Sequence, residues 1–235
     1  AMRTGAIVRT SMINTGTFLC YFRREAVKGN DVMYIGMSGG ISGAANAAAA
    51  AVRELKAEYP ALKFAAIDTF AASLGEGLMV LRAAELIDSG QTFEEIERFI
   101  LTGRRHMCQF FTVDDLVYLK RGGRISGTAA LIGSMLNIKP ILKGDDTGHI
   151  VMCDKVRGSK RAILNLAEKY GRLVFDRDVR IGIAHADNSE GAARLVELLR
   201  ERGFGGKCIN VCYEPVTGSH VGPGTVALFF YGMHK

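Results

Sequence analysis

The sequence predicts an α/β protein of two domains: an N-terminal domain with a Rossmann-like parallel sheet and helices, and a C-terminal α/β domain with a mixed sheet. Three observations lead there. Strand-like and helix-like segments alternate along the chain, the pattern of layered α/β folds. The 235 residues suffice for one large or two small domains, and 48% hydrophobic against 23% charged residues is the composition of a packed chain, not a disordered one. After about residue 112 the texture changes, and hairpin signals join the alternation. The domains are therefore expected at 1–112 and 113–235, with the boundary between Thr112 and Arg124.

Asp31 to Met37 is a short apolar run suited to a strand buried on both faces. Ser38 to Gly43 breaks it, and an alanine-rich helix is expected from Ala44 to about Tyr59. The uncharged stretch from Val32 to Val52 is long enough to cross a bilayer. Its glycines, serines, Asn46 and alanines give it little apolar drive, so it reads as strand, loop and helix. Lys63 to Ile67 is the next strand. The segment from Asp68 leads into a helix that ends near Gly90. Thr92 and Glu95 form a capping box for a helix to about Arg105. Met107 to Thr112 is a strand, and Val113 to Lys120 a helix stopped by Gly122 and Gly123.

Ile138–Leu142 and His149–Cys153 flank Asp145-Asp-Thr-Gly148, which reads as a β-hairpin. Ser159 to Tyr170 is a helix. Val179 to Ala186, a helix capped by Ser189, and Lys207 to Tyr213 form a β-α-β unit. Val226 to Tyr231 closes the chain as a strand.

A net charge of +6 favours acidic partners: an anionic ligand, an acidic protein face or, transiently, an anionic membrane surface. The basic residues are scattered, without a Lys/Arg run or aromatic-basic alternation, so nucleic acid is not an expected partner. Five cysteines without a CxxC read as reduced thiols and point to a cytoplasmic protein; no metal site and no cofactor are expected. Arg3 and Arg9 bracket only a short polar stretch, which does not read as a signal peptide.

Four clusters could seat an anion through exposed backbone N–H groups. Thr10-Ser11 offers two neutral hydroxyl donors, or a helix N-cap. Ser38-Gly-Gly-Ile-Ser-Gly43 sits between a strand and a helix, so Ser38, Gly39 and Ser42 could hold a carboxylate or phosphate; the alternative is a turn capped by Ser42. Lys120 to Ser126 sets Arg124 beside two glycines, either as an anion fork or as a cationic helix end. Gly218 to Gly224 holds His220 in what reads as a constrained loop, where it could donate to a carboxylate, act as a base or face water. His106, His149, His185 and His234 read as structural.

Two other function classes draw on the same residues. Gly36-Met-Ser-Gly-Gly40 matches the G-x-S-x-G elbow of serine hydrolases, with Asp187 and His220 following in hydrolase order. All four clusters also suit a phosphate- or nucleotide-binding regulatory protein.

Taken together, Thr10-Ser-Met-Ile-Asn14, Ser38–Gly43, Asp68–Gly77, Leu116-Val-Tyr-Leu-Lys-Arg-Gly-Gly-Arg-Ile-Ser126, Leu136–Leu142, Lys155–Gly158 and Ser219–Gly224 resemble the DegV family of bacterial fatty-acid-binding proteins. The resemblance implies a long-chain fatty acid held between two domains. Hydroxyls matching Thr10 and Ser38 would bind the carboxylate, an Arg and the loop His would lie nearby, and the acyl chain would fill an apolar tunnel. It further implies a lipid-binding protein, not an enzyme: the binding partner of a fatty acid kinase, presenting the carboxylate to a separate ATP-binding subunit that forms the acyl phosphate. The family's opening strand, ending in Asp-Ser-Thr or similar, has no counterpart here, so the N-terminal domain is expected to lack it. Family members also carry a second serine and a later threonine where Gly39 and Ala44 stand, which leaves Ser38 or Ser42 to substitute.

Overall fold

A computed structural model describes residues 1–125 and 137–233. Ser126 and Leu136, which end two of the resemblance segments, and His234 lie outside the described residues.

The N-terminal part runs α1 (Thr15–Ala26), β1 (Val32–Gly36), α2 (Ala44–Glu58) and β2 (Phe64–Asp68). The two strands pair in parallel, Val32 opposite Phe64 and Gly36 opposite Asp68. Period-2 alternation divides β1 between two faces. Val32 and Tyr34 pack with α1 and α2, in a cluster built on Phe18, Phe22, Ala51, Leu55 and Phe64. Met33 and Ile35 face the opposite way, toward the next two helices.

Those helices are α3 (Leu74–Asp88) and α4 (Phe93–Gly103). The capping box of Thr92 and Glu95 starts α4 as expected, and a 3₁₀ turn, Arg104–His106, follows it. Both helices form a layer shared by two sheets: Leu78, Met79, Ile96 and Ile100 bury against Ile67 on one side and against Met107, Ala227 and Phe229 on the other.

The second sheet comprises β3 (Met107–Thr112), β4 (Ile138–Gly144), β5 (Ile150–Arg157), β6 (Ile181–His185), β7 (Cys208–Cys212) and β8 (Val226–Tyr231). Its order is β5-β4-β3-β8-β6-β7. Among the described strand pairs of this sheet β6–β7 is parallel and the others are antiparallel, so the sheet is mixed. The helices α6 (Ser159–Leu173) and α7 (Ser189–Glu201) cover its outer face through Leu166, Tyr170, Leu195 and Leu199. Two short helices, α5 (Val117–Arg121) and α8 (Pro215–Val221), lie against one another near the cavity described below.

The α/β class, the small parallel sheet and the larger mixed sheet match expectation. Val32–Val52 is strand, loop and buried helix, and among the described residues no helix is long and apolar enough to cross a membrane. Several local expectations are corrected. The helix α1 was not expected: its N-cap is Asn14, whose side chain accepts from Thr17 N, so Thr10-Ser11 is no helix cap. The helix expected from Val113 begins at Val117, where the Asp115 carboxylate accepts the backbone N–H. Asn188, not Ser189, caps α7. His220 lies on a helical turn and not in an open loop: Pro215 occupies the first turn of α8, and Glu214 accepts from Val216 N and Thr217 N. The strand β3 lies inside the larger sheet, between β4 and β8.

Candidate functional site

A cavity of about 190 Å³ lies between the two sheets. Ile41 and Phe70 close it from the small-sheet side, and Phe111, Ile150 and Phe229 from the large sheet. At one end the lining turns polar, with Thr10, Ser11, Ser42, Arg124 and His220. Few convergent polar groups on an apolar cavity is the usual make-up of a small-ligand site. A larger groove of about 1040 Å³ lies away from these residues; Arg82, Glu85 and Arg180 already pair with one another along it.

The polar end is built on one long-range pair. Thr10 Oγ1 and His220 Nε2 are 2.8 Å apart. The imidazole can sit there because residue 122 is glycine: a Cβ at Gly122 would collide with His220 Nδ1. The turn after α8 has the same logic, since Gly222 adopts φ 78° and a Cβ there would strike the Tyr118 ring. Burial, and then the nearby Arg124 guanidinium, push the His220 pKa down from its usual value, so the neutral imidazole is favoured. With Nε2–H donating to Thr10, the threonine hydroxyl keeps a proton to offer an anion in the cavity.

Arg124 joins the two sides of this end. Its Nε donates to Ile41 O at 3.0 Å, and its Nη1 donates to Gly122 O. The loop 38–43 is arranged differently. Ser38 is 1% exposed, and its hydroxyl donates to Gly148 O at 2.8 Å while accepting from Gly40 N at 3.1 Å. A Cβ at Gly148 would collide with that hydroxyl, so the glycine at the hairpin tip is what lets the two loops meet. Gly39 does not line the cavity: its N–H donates to Asp68, and a Cβ there would come within 2.6 Å of the carboxylate. Ser42 lines the cavity, and its Oγ accepts from Ala44 N at 3.3 Å.

The Gly36–Gly40 elbow does occupy a strand–turn–helix junction, yet no triad forms. Ser38 bonds a carbonyl, His220 bonds Thr10, and Asp187 pairs with Arg3. A hydrolase nucleophile needs its base within hydrogen-bond reach, and that condition is not met.

One functional residue was not anticipated. Gln109, in the middle of the apolar run Met-Cys-Gln-Phe-Phe, lines the cavity and braces its wall. Its Nε2 donates to Phe70 O at 2.7 Å and its Oε1 accepts from Ala72 N at 3.2 Å. That holds Phe70 and Ser73 at φ 53° and 54°, a left-handed conformation that side chains rarely adopt. Arg104 adds to the brace, with its guanidinium 4.1 Å from the Phe70 ring centre and Nη1 donating to Asp68 O at 2.6 Å. A lone amide in an apolar strand was the signal available.

Comparison with known proteins assigns this architecture. The model of the DegV family, described as a family of uncharacterised proteins, matches residues 1–232. A DegV domain-containing protein of Clostridium perfringens is 38% identical over 236 residues, covering 100% of this chain and 81% of that protein. A DegV family protein from Thermus thermophilus, described by its fatty acid binding, superposes with a TM-score of 0.86 at 30% identity, over 99% of this chain and 82% of its own. The fatty acid kinase B3 protein of Streptococcus pneumoniae, loaded with linoleic acid, has the same fold, with a TM-score of 0.86 at 22% identity over 98% and 80% of the two chains. The chain belongs to the DegV family.

Proposed function

We propose that this DegV family member binds a long-chain fatty acid in the cavity between its sheets and presents the carboxylate to the ATP-binding subunit of a fatty acid kinase. The observation that carries the reading is the Thr10–His220 pair at the polar end of a largely apolar cavity. Thr10 donates to the carboxylate and His220 orients Thr10, with Ser11, Ser42 and Arg124 completing the polar end. A carboxylate on neutral donors needs no full counter-charge, provided its hydrogen bonds are made. Ser38 shapes the wall instead of contacting the headgroup, and Gly39 is turned to Asp68.

The acyl chain supplies most of the affinity, roughly 0.8 kcal/mol per buried CH₂. The cavity's 190 Å³ falls below the ~300–1,000 Å³ of typical ligand sites. Entry of a long chain therefore displaces wall side chains; Met12 is the readiest, unbranched, 55% exposed and packed on Gly43. In the partner's reaction a carboxylate oxygen attacks the terminal phosphorus of ATP, the new O–P bond forms, and ADP leaves with the electron pair of the broken bond. This chain contributes the positioning of that oxygen. Among the described residues no two cysteines are bridged, which supports a cytoplasmic setting.

The test is extraction and mass spectrometry of lipid from protein purified out of cells, followed by uptake of added palmitate by the delipidated chain. A bound long-chain acid and stoichiometric uptake are expected. Absence of both would remove the reading.

A further inference from the structure

The two edges of the larger sheet are built differently. At one, β5 carries Asp154, Lys155 and Arg157, and its register with β4 shifts between Ile141 and Leu142. Charges and irregular register are how natural sheets keep an edge from pairing with another chain. At the other, β7 reads Cys-Ile-Asn-Val-Cys: no charge, no proline, and an unbroken register with β6. Asn210, Val211 and Cys212 are consecutive and all exposed, so among the described residues this end of the strand is uncovered on both faces.

The ladder fixes which backbone groups face outward. Ile181 N donates to Lys207 O, and Tyr213 N donates to His185 O. Backbone groups alternate in direction along a strand, so Ile209 and Val211 turn theirs to β6. Cys208, Asn210 and Cys212 turn theirs to the open edge, where no described loop or cap bonds their N–H groups. The strand is also close to a palindrome about Asn210. An antiparallel copy centred there sets Cys208 opposite Cys212, Ile209 opposite Val211 and Asn210 opposite Asn210. A hydrogen-bonded antiparallel pair needs N–H and C=O both facing the partner, and Asn210 meets that condition. The flanking charges agree. Lys207 precedes the strand and Glu214 follows Tyr213. Antiparallel pairing brings Lys207 of each copy to the end that holds Glu214 of the other, whereas parallel pairing would set like charges together.

We infer that β7 is a self-association edge: two copies of this chain pair β7 with β7, antiparallel about Asn210, in a two-fold dimer that joins their larger sheets into one. An interface built on one short strand is small, so association is expected in the micromolar range.

The test is sedimentation equilibrium of the full chain between about 1 and 200 µM. A monomer–dimer equilibrium is expected. Asn210→Lys sets two ammonium groups face to face at the two-fold axis, and Asn210→Glu sets two carboxylates there. Each alone should weaken association by about 10-fold or more. An equal mixture of the two variants should restore it, because residue 210 then meets its opposite charge, and that recovery also shows that neither variant has merely lost its fold. Dibromobimane should link Cys208 of one copy to Cys212 of the other, each thiolate displacing one bromide, as read by peptide mapping of the covalent dimer. A wild-type chain that stays monomeric at the highest concentration would overturn the inference. So would a dimer that both charged variants leave intact, or a mixture of them that fails to recover.

Discussion

The loop 36–43 and the facing segments 118–124 and 215–222 reach the cavity from opposite sides, and both are rich in glycine. In the first, the polar groups satisfy one another. Ser38 bonds the hairpin tip, Gly39 N–H bonds Asp68, and Ser42 accepts from the start of α2. In the second, glycine in each segment makes room for a polar side chain of the other: Gly122 admits the His220 ring, and Gly222 admits Tyr118. The first loop thus shapes the cavity, and the second arms it. The lesson is that glycine and serine at a strand–helix junction are not by themselves an anion site. What matters is whether their N–H and O–H groups already have partners.

The largest expected effect comes from Gly122→Val. The residue lies at the helical C-cap, φ −72°, so the backbone tolerates a side chain, and the damage falls on His220. Fatty acid affinity should drop about 10- to 100-fold, or ~1.4–2.8 kcal/mol, with the fold retained by circular dichroism. Unchanged affinity would show that His220 is not needed in place.

The contrast between the two loops is sharpest in a pair of variants. Ser38→Ala removes a buried hydrogen-bonded hydroxyl and should cost about 1–3 kcal/mol of stability, a fall in Tm of roughly 2–4 °C per kcal/mol, with little change in fatty acid affinity. Thr10→Val should do the reverse, weakening binding about 10-fold with Tm nearly unchanged. If Ser38→Ala loses affinity and Thr10→Val does not, the roles assigned here are inverted.

Glu76 probes the small-sheet side away from the ligand. Burial in the first turn of α3 raises its pKa to about 7 from 4.5. The folded chain therefore holds this proton more tightly than the unfolded chain. Stability is full below about pH 4.5 for this group and declines as pH rises toward 7. Glu76→Gln should raise stability at pH 8 by on the order of 1–3 kcal/mol and leave it unchanged at pH 4.5, as read from urea melts at both pH values. Equal effects at the two would rule out a buried carboxyl.

The smallest effect expected is a pH dependence of binding. His220 is held neutral in the free protein, and a carboxylate beside it favours the protonated ring. Proton uptake on binding makes affinity rise as pH falls, by a few-fold between about pH 8 and 6, where the ligand stays ionised. His220→Gln should flatten the profile. A profile that survives this change would place the titrating group elsewhere.

Much of the fold was legible because its cues are local. Alternation and apolar runs located β3 and β8 at their observed ends, and Thr92 with Glu95 announced α4. Two missed helices also carried cues: Asn14 before Phe18, Phe22 and Ala26 at helical spacing, and Glu214-Pro215 as cap and first turn. The site was legible only as a set of residue types. Thr10, Arg124 and His220 stand out by residue type, but so does Ser38, and nothing near Ser38 in the chain reveals that its hydroxyl donates to Gly148 O.

The sequence by itself determined the α/β class, most strand and helix positions and, through its motifs, membership of the DegV family. Tertiary structure decided which hydroxyls are occupied and which remain to meet a ligand. Thr10 and His220 are 210 positions apart and Ser38 and Gly148 are 110 apart. Hydrogen bonds act over about 3 Å and saturate their donors. Which partner claims each proton is therefore settled only when the two sheets and the loops between them come together.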